Sequence, residues 1–154
     1  MHAKSLALGL CALLFAAQAL QAAGVSFLVA EAGLPQGSAA GYSSEWEDSV
    51  FDALFEAGHV ASNAPRISLG EGAVPDGLPP EAAAHLEDAR SGGMGYFLAV
   101  IVCFPSRDVS LRLFDARTGE MVAQTARPGG PPRSAREESE SRRRAAMEIA
   151  AFVR

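Results

Sequence analysis

Apolar and polar positions along the chain fall into blocks of distinct period. Val25-Ser26-Phe27-Leu28-Val29-Ala30 is a short apolar run rich in β-formers, closed by Gly33 and Pro35, and predicts a buried strand. Gly37 to Gly41 reads as a small-residue loop, and Ser44 with Glu47 has the spacing of a capping box at a helix start. At the ~100° per residue of a helix, Trp46, Val50, Ala53, Leu54 and Ala57 share one face. Glu45, Asp48, Asp52 and Glu56 share the opposite one. Phe51 and Phe55 widen the apolar arc, which requires cover from a second side, by another helix or by a partner protein. Gly58 stands where helix closure favours a left-handed residue.

Downstream, His59 to Ile67 predicts a weaker strand interrupted by Pro65, and Ser68 to Pro80 a glycine- and proline-rich surface loop. Pro80-Glu81 suits a helix start, with Ala82, Ala83, Leu86 and Ala89 as its apolar face and Gly92-Gly93 as its end. The apolar run Tyr96 to Phe104 predicts a central strand covered on both faces. Each large side chain buried there stabilises the fold by roughly 1.5–3 kcal/mol. After the turn Pro105 to Asp108, Val109, Leu111 and Leu113 alternate with Ser110 and Arg112, the pattern of a half-solvated strand. Asp115 to Gly119 predicts a hairpin loop and Met121 to Ala126 the returning strand. Arg127 to Pro132 reads as a linker. Ser134 and Glu137 form a second capping box for a terminal helix. Its first half is solvated and laced by Glu138–Arg142 and Glu140–Arg144 pairs. Its second half docks through Ala145, Ala146, Ile149, Phe152 and Val153. The order β-α-β-α-β-β-β-α is that of an α/β sandwich of two or three layers, a mixed sheet with helices packed on it.

Composition narrows the class. The chain has 154 residues with 49% hydrophobic and 20% charged positions, enough for one domain with a core and not the profile of a disordered chain. A formal charge of −5 argues against a nucleic-acid binder that works through phosphate contacts. Met1 to Ser5 carries Lys4, Leu6 to Leu20 is apolar except for Gln18, and Ala17, Ala19, Ala22 and Ala23 supply small residues. That is the pattern of a cleaved secretory signal peptide. Leu10 before Cys11 disfavours lipidation. The expected division is a signal peptide over 1–23, an α/β domain over 24–127, a linker over 128–133 and a docking helix over 134–154. Lys4 is the only lysine, so cleavage leaves twelve arginines against 18 acids. The residues from Gly24 to Val100 then carry a net −9 and those from Ile101 to Arg154 a net +3, a polarity that can steer a charged partner.

Candidate chemistry is sparse. His85 has Glu81 and Asp88 at helical spacing, but no second histidine or cysteine lies near in sequence, which favours an exposed helix histidine over a metal ligand. His59 suits a helix C-terminus. Cys103 within the buried strand reads as a small hydrophobe, an intermolecular disulfide being the alternative. The acids Glu45, Asp48, Asp52 and Glu56 read as a solvated face rather than as paired catalytic carboxylates. Gly70-x-Gly72 and Gly93-x-Gly95 lack the rest of a dinucleotide fingerprint. Arg142-Arg143-Arg144 is offset by neighbouring acids, so any contact with anionic membrane or glycan is weak. No catalytic residue, metal site or cofactor is expected.

Four segments resemble a superfamily of bacterial envelope domains. They are Val25 to Ala30, WEDSVFDALFEAGHV from Trp46 to Val60, ARSGGMGYFLAVIV from Ala89 to Val102 and VSLRLFDARTGEMVAQ from Val109 to Gln124. The superfamily includes the curli-secretion lipoprotein, lipoprotein activators of penicillin-binding proteins, flagellar accessory proteins and the N-terminal domain of the Tol propeller protein. Gly95 stands where many relatives carry aspartate, and the chain has no lipobox and no propeller repeat. The resemblance implies a free-standing periplasmic module that binds envelope proteins, without catalysis, and leaves homo-oligomerisation open. Phe51, Phe55, Glu45, Asp48 and Asp52 are the expected protein-binding residues. The alternative is a periplasmic small-ligand or cell-wall-glycan binder that uses the loop Ser68 to Pro80, for which a concave pocket beside that loop would speak.

Overall fold

The computed structural model describes residues 22–33, 41–70, 74–131 and 134–154. The expected signal peptide lies almost wholly outside the described residues, as does most of the Gly37–Gly41 loop. The elements are β1 (Gly24–Ala32), α1 (Gly41–Glu56), β2 (Val60–Asn63), β3 (Ile67–Leu69), α2 (Ala83–Ser91), β4 (Tyr96–Cys103), β5 (Asp108–Asp115), β6 (Met121–Arg127) and α3 (Ala135–Ala150). A 3-10 turn over Pro80–Ala82 leads into α2.

The sheet is mixed, with strand order β2-β1-β4-β5-β6 and β3 beside β1 beyond the end of β2. Strands β2, β3 and β4 run parallel to β1, and β4-β5-β6 is an antiparallel meander. Side chains alternate across a strand, so each strand feeds two separate cores. Phe27, Val29, Leu98, Val100 and Leu111 pack beneath α1 and α3. Leu28, Ala30, Phe97, Ile101 and Phe114 pack against α2 on the other side. The result is three layers, with α1 and α3 on one face and α2 on the other. Residues 97–102 of β4 are completely buried because both faces are covered. Gly58 ends α1 with φ +83°, the left-handed geometry its position predicts.

Several local expectations shift once distant partners are in place. Helix α1 begins at Gly41, three residues early, so Ser44 lies inside it and caps nothing. The box at α3 forms as predicted, with Ser134 accepting from the Glu137 N–H at 3.2 Å and Glu137 accepting from the Ser134 N–H at 3.0 Å. The weak strand over 59–67 is two short strands split around Pro65, the second running on to Leu69. Arg112, read as solvent-facing, is only 6% exposed. Its Nη1 donates to the carbonyls of Pro75 and Gly77 at 2.6 and 2.5 Å, which pins the loop before α2 to the sheet. Phe152, expected to dock, stays half exposed, because the helix ends at Ala150.

The β5–β6 hairpin carries a pH-sensitive tie. Asp115 Oδ1 accepts the backbone N–H of Thr118 at 3.1 Å and of Arg117 at 2.8 Å, while Gly119 takes φ +75°. Those amide bonds hold the Asp115 carboxyl below its ordinary value. A carboxylate depressed in the folded state stabilises it above the unfolded pKa of about 3.9 and loses that contribution as pH falls through the lower folded value. Urea midpoints measured between about pH 5 and pH 2 are therefore expected to fall more steeply for the parent than for Asp115→Asn. Parallel curves would show that the tie contributes nothing.

Candidate functional site

Helix α1 is held in one rotation by arginines on both flanks. On the α3 side, Arg142 Nη1 lies 2.9 Å from Glu45 Oε2, and Arg143 Nη2 donates to Glu56 Oε2 at 2.7 Å. On the β2 side, Arg66 Nε lies 3.2 Å from Glu47 and its Nη1 3.8 Å from the buried Glu31. With Trp46, Val50, Ala53 and Leu54 pressed onto the sheet, the outward face is left to Asp48, Phe51, Asp52 and Phe55. Phe55 is 73% and Phe51 44% exposed, and Val60, just past the Gly58 turn, is 57% exposed. Phenylalanines four apart on a helix are neighbours, so the rings form one patch.

The five expected binding residues thus do not behave alike. Phe51, Phe55, Asp48 and Asp52 share an exposed face, and neither aspartate has an ion pair among the described residues. Glu45 is turned to Arg142 instead. The acidic face read as wholly solvated is partly neutralised from within, because α3 lies alongside and brings its arginines across. The first half of α3 is largely solvated as expected, with Arg142 as the buried exception. Arg142 is 7% exposed, with its guanidinium 5.9 Å from the Tyr42 ring centre, and Glu140 pairs with Arg136 at 2.8 Å.

A second feature lies where the β4–β5 turn, the end of β6 and the N-terminal halves of α1 and α3 converge. Arg127 is its hub. Nη2 donates to Glu138 at 2.6 Å, Nη1 to the Tyr42 hydroxyl at 2.8 Å and Nε to Ser141 at 2.7 Å. The same guanidinium stands 5.9 Å from the Trp46 ring centre. Burial draws the Arg127 pKa down, but the bond to Glu138 and the neighbouring Tyr42 more than offset this, and the net direction is up. Beside the hub opens a cleft of about 310 Å³ lined by Tyr42, Ser106, Arg107, Arg127, Gly130 and Glu138. A shallower cleft of about 520 Å³ lies along α3 between Glu140, Arg143, Arg144 and Met147. The described residues of the 68–80 segment line neither.

Sequence reasoning missed this cluster. Arg127 bonds Tyr42 across 85 positions, and a proline-glycine stretch follows it directly, so local pattern assigns it to a linker. No local signal marks the pairing.

Other candidate groups supply little reactivity. Burial pushes the Cys103 thiol up, and the charge of Asp108 adds to the effect while Arg112 opposes it. A thiol kept protonated is a poor nucleophile. Among the described residues, no three His, Cys, Asp or Glu side chains are grouped closely enough to hold a metal ion. No helix among them is long and apolar enough to cross a membrane.

Comparison with solved structures gives matches to bacterial proteins. A dodecameric PelC variant from Paraburkholderia phytofirmans matches with a TM-score of 0.52 at 16% identity, covering 86% of this chain and 90% of that one. The C-terminal domain of LpoB from Escherichia coli matches with a TM-score of 0.45 at 16% identity over 80% of this chain and 94% of that one. TolB from Acinetobacter baumannii gives 0.43 at 15% identity, over 87% of this chain and 28% of that one. The α/β fold implied by the four sequence segments is thus one that the PelC protomer shares. No family model matches the chain, and no curated protein matches it.

Proposed function

We propose that the chain is a periplasmic protein-binding module of the bacterial envelope that serves assembly or regulation through contact and carries out no reaction of its own. The observation that carries this reading is the Phe51–Phe55 patch on α1. Ion pairs on both flanks fix the helix so that the two rings face water, flanked by Asp48 and Asp52. Exposed aromatic surface rimmed by charge is the composition of a contact site. The envelope setting rests on the leader pattern and on the fold's occurrence in envelope proteins.

The test is a photo-crosslinking residue placed at position 55, compared with one at position 87 on the opposite side of the sheet. In intact cells, position 55 is expected to trap one discrete envelope protein that position 87 does not, and Phe51→Ala is expected to weaken the adduct. Identical adducts from both positions, or none from position 55, would sink the assignment.

A second reading is self-assembly. Val60 on β2 and the half-exposed Met121 and Val122 on β6 sit at opposite edges of the sheet, the placement for a head-to-tail contact that can close into a ring. The matching PelC is a dodecamer. A concentration-dependent rise in mass that Val122→Glu abolishes supports this reading, and a monomer at every concentration rejects it.

A further inference from the structure

We propose that the cleft beside the β4–β5 turn binds a small carboxylate ligand, with Arg107 as the group that recognises it. This site is independent of the α1 patch and on a different part of the molecule. Its volume of about 310 Å³ stands at the small end of ligand pockets. That size suits a sugar acid or a simple organic acid better than a cofactor.

The charge arrangement singles out Arg107. The other arginines gathered here are already committed, Arg127 to Glu138 at 2.6 Å and Arg142 to Glu45 at 2.9 Å. Arg107 has no ion pair among the described residues, and its guanidinium lies 5.3 Å from the Tyr42 ring centre. Stacking on a ring orients a guanidinium while leaving its in-plane N–H donors free. The carboxylate nearest in sequence, Asp108, accepts from the Ser106 hydroxyl at 2.7 Å and from the Gly129 N–H at 2.6 Å, so it braces the loop.

Backbone geometry points the same way. Arg107 has φ +63°, the one non-glycine residue with positive φ among those described, and its N–H donates to the Cys103 carbonyl at 2.7 Å. A side chain held in a conformation its Cβ disfavours is a recurrent feature of binding loops. Here the conformation sets the guanidinium over Tyr42 at the cleft.

Glu138 on the cleft wall selects the anion. Its own charge repels a phosphate dianion more strongly than a monoanion, and a carboxylate matches the planar fork of arginine.

The test is an NMR titration of the purified protein with sodium glucuronate, sodium acetate and, as the uncharged control, glucose. Saturable shifts are expected at the amides of Arg107, Gly129 and Gly130 with at least one carboxylate, and none with glucose. A tighter response to glucuronate assigns part of the recognition to the sugar ring, and equal responses assign it to the carboxylate alone. Arg107→Gln and Arg107→Gly are each expected to weaken binding by about tenfold or more, the loss of one charge-assisted hydrogen bond. Glycine accepts a positive φ without strain, so Arg107→Gly is expected to melt no lower than the parent, which separates lost binding from lost folding. No saturable shift with either carboxylate, equal shifts with glucose, or undiminished binding in both variants would overturn the proposal.

Discussion

Replacing Trp46 by alanine is expected to cost about 3–5 kcal/mol, the largest loss from any single truncation considered for this chain. Trp46 is completely buried between α1, β1 and the sheet face shared with α3, and it is the largest side chain in that core. The cavity it would leave lies in a core built on the sheet, so it can collapse only partly. Against a typical total stability of about 5–15 kcal/mol, the variant is expected to lose a large share of its margin and to unfold at markedly lower urea. Urea titration followed by far-UV circular dichroism measures this, because the chain's single tryptophan is the residue removed. The indole Nε1 has no hydrogen-bond partner among the described residues, so Trp46→Phe sacrifices volume and no hydrogen bond to them. It is expected to cost about 1–2 kcal/mol. A Phe variant as unstable as the Ala variant would show that the indole N–H has a partner in solution.

The second large effect is expected at Arg127. Its side chain is 10% exposed and makes three hydrogen bonds, one of them to the Glu138 carboxylate. Arg127→Met keeps most of the aliphatic stem but leaves Glu138, itself only 22% exposed, without its principal cation. The expected cost is about 2–3 kcal/mol, below the full figure for breaking a buried pair because water still reaches Glu138. Arg127→Met combined with Glu138→Met removes the stranded charge and is expected to recover about 1 kcal/mol or more relative to the sum of the single changes. Additive losses in that cycle would mean that Arg127 acts through Tyr42, Ser141 and Trp46 and not through the ion pair. Arg127 also walls the cleft, so its variants report on folding and leave the ligand assignment to Arg107.

The outcome along the chain follows the range of the interactions involved. The run Tyr96 to Cys103 becomes the central strand because nine adjacent apolar residues, Tyr96 to Phe104, have no stable place except between two covering layers. The Ser134–Glu137 box and the Gly58 and Gly119 turns also form where they are written, since their partners lie within four residues. The β5–β6 hairpin belongs with them. In each case neighbouring backbone groups settle the geometry.

Arginine is where local pattern fails. Arg112 and Arg142 occupy positions that periodicity gives to solvent, and Arg127 one that composition gives to a linker, yet all three are buried or nearly so. A guanidinium can leave water when carbonyls or carboxylates meet its donors, and its stem then packs as hydrocarbon. Those acceptors are Pro75 and Gly77 for Arg112, Glu45 for Arg142, and Tyr42 and Glu138 for Arg127. Most stand tens of residues away, on segments whose adjacency exists only after the sheet and helices have packed. The exposed phenylalanines, by contrast, were visible as an excess on the α1 wheel, and tertiary structure decided only that α3 would cover the acidic flank and not the rings. The amino-acid order by itself therefore determined the strands, the helices and the aromatic surplus, each being a matter of contacts a few residues long. The polar cleft, the clamped rotation of α1 and the division of its acids into paired and free were settled by packing, because charge is neutralised by whichever partner the fold brings near.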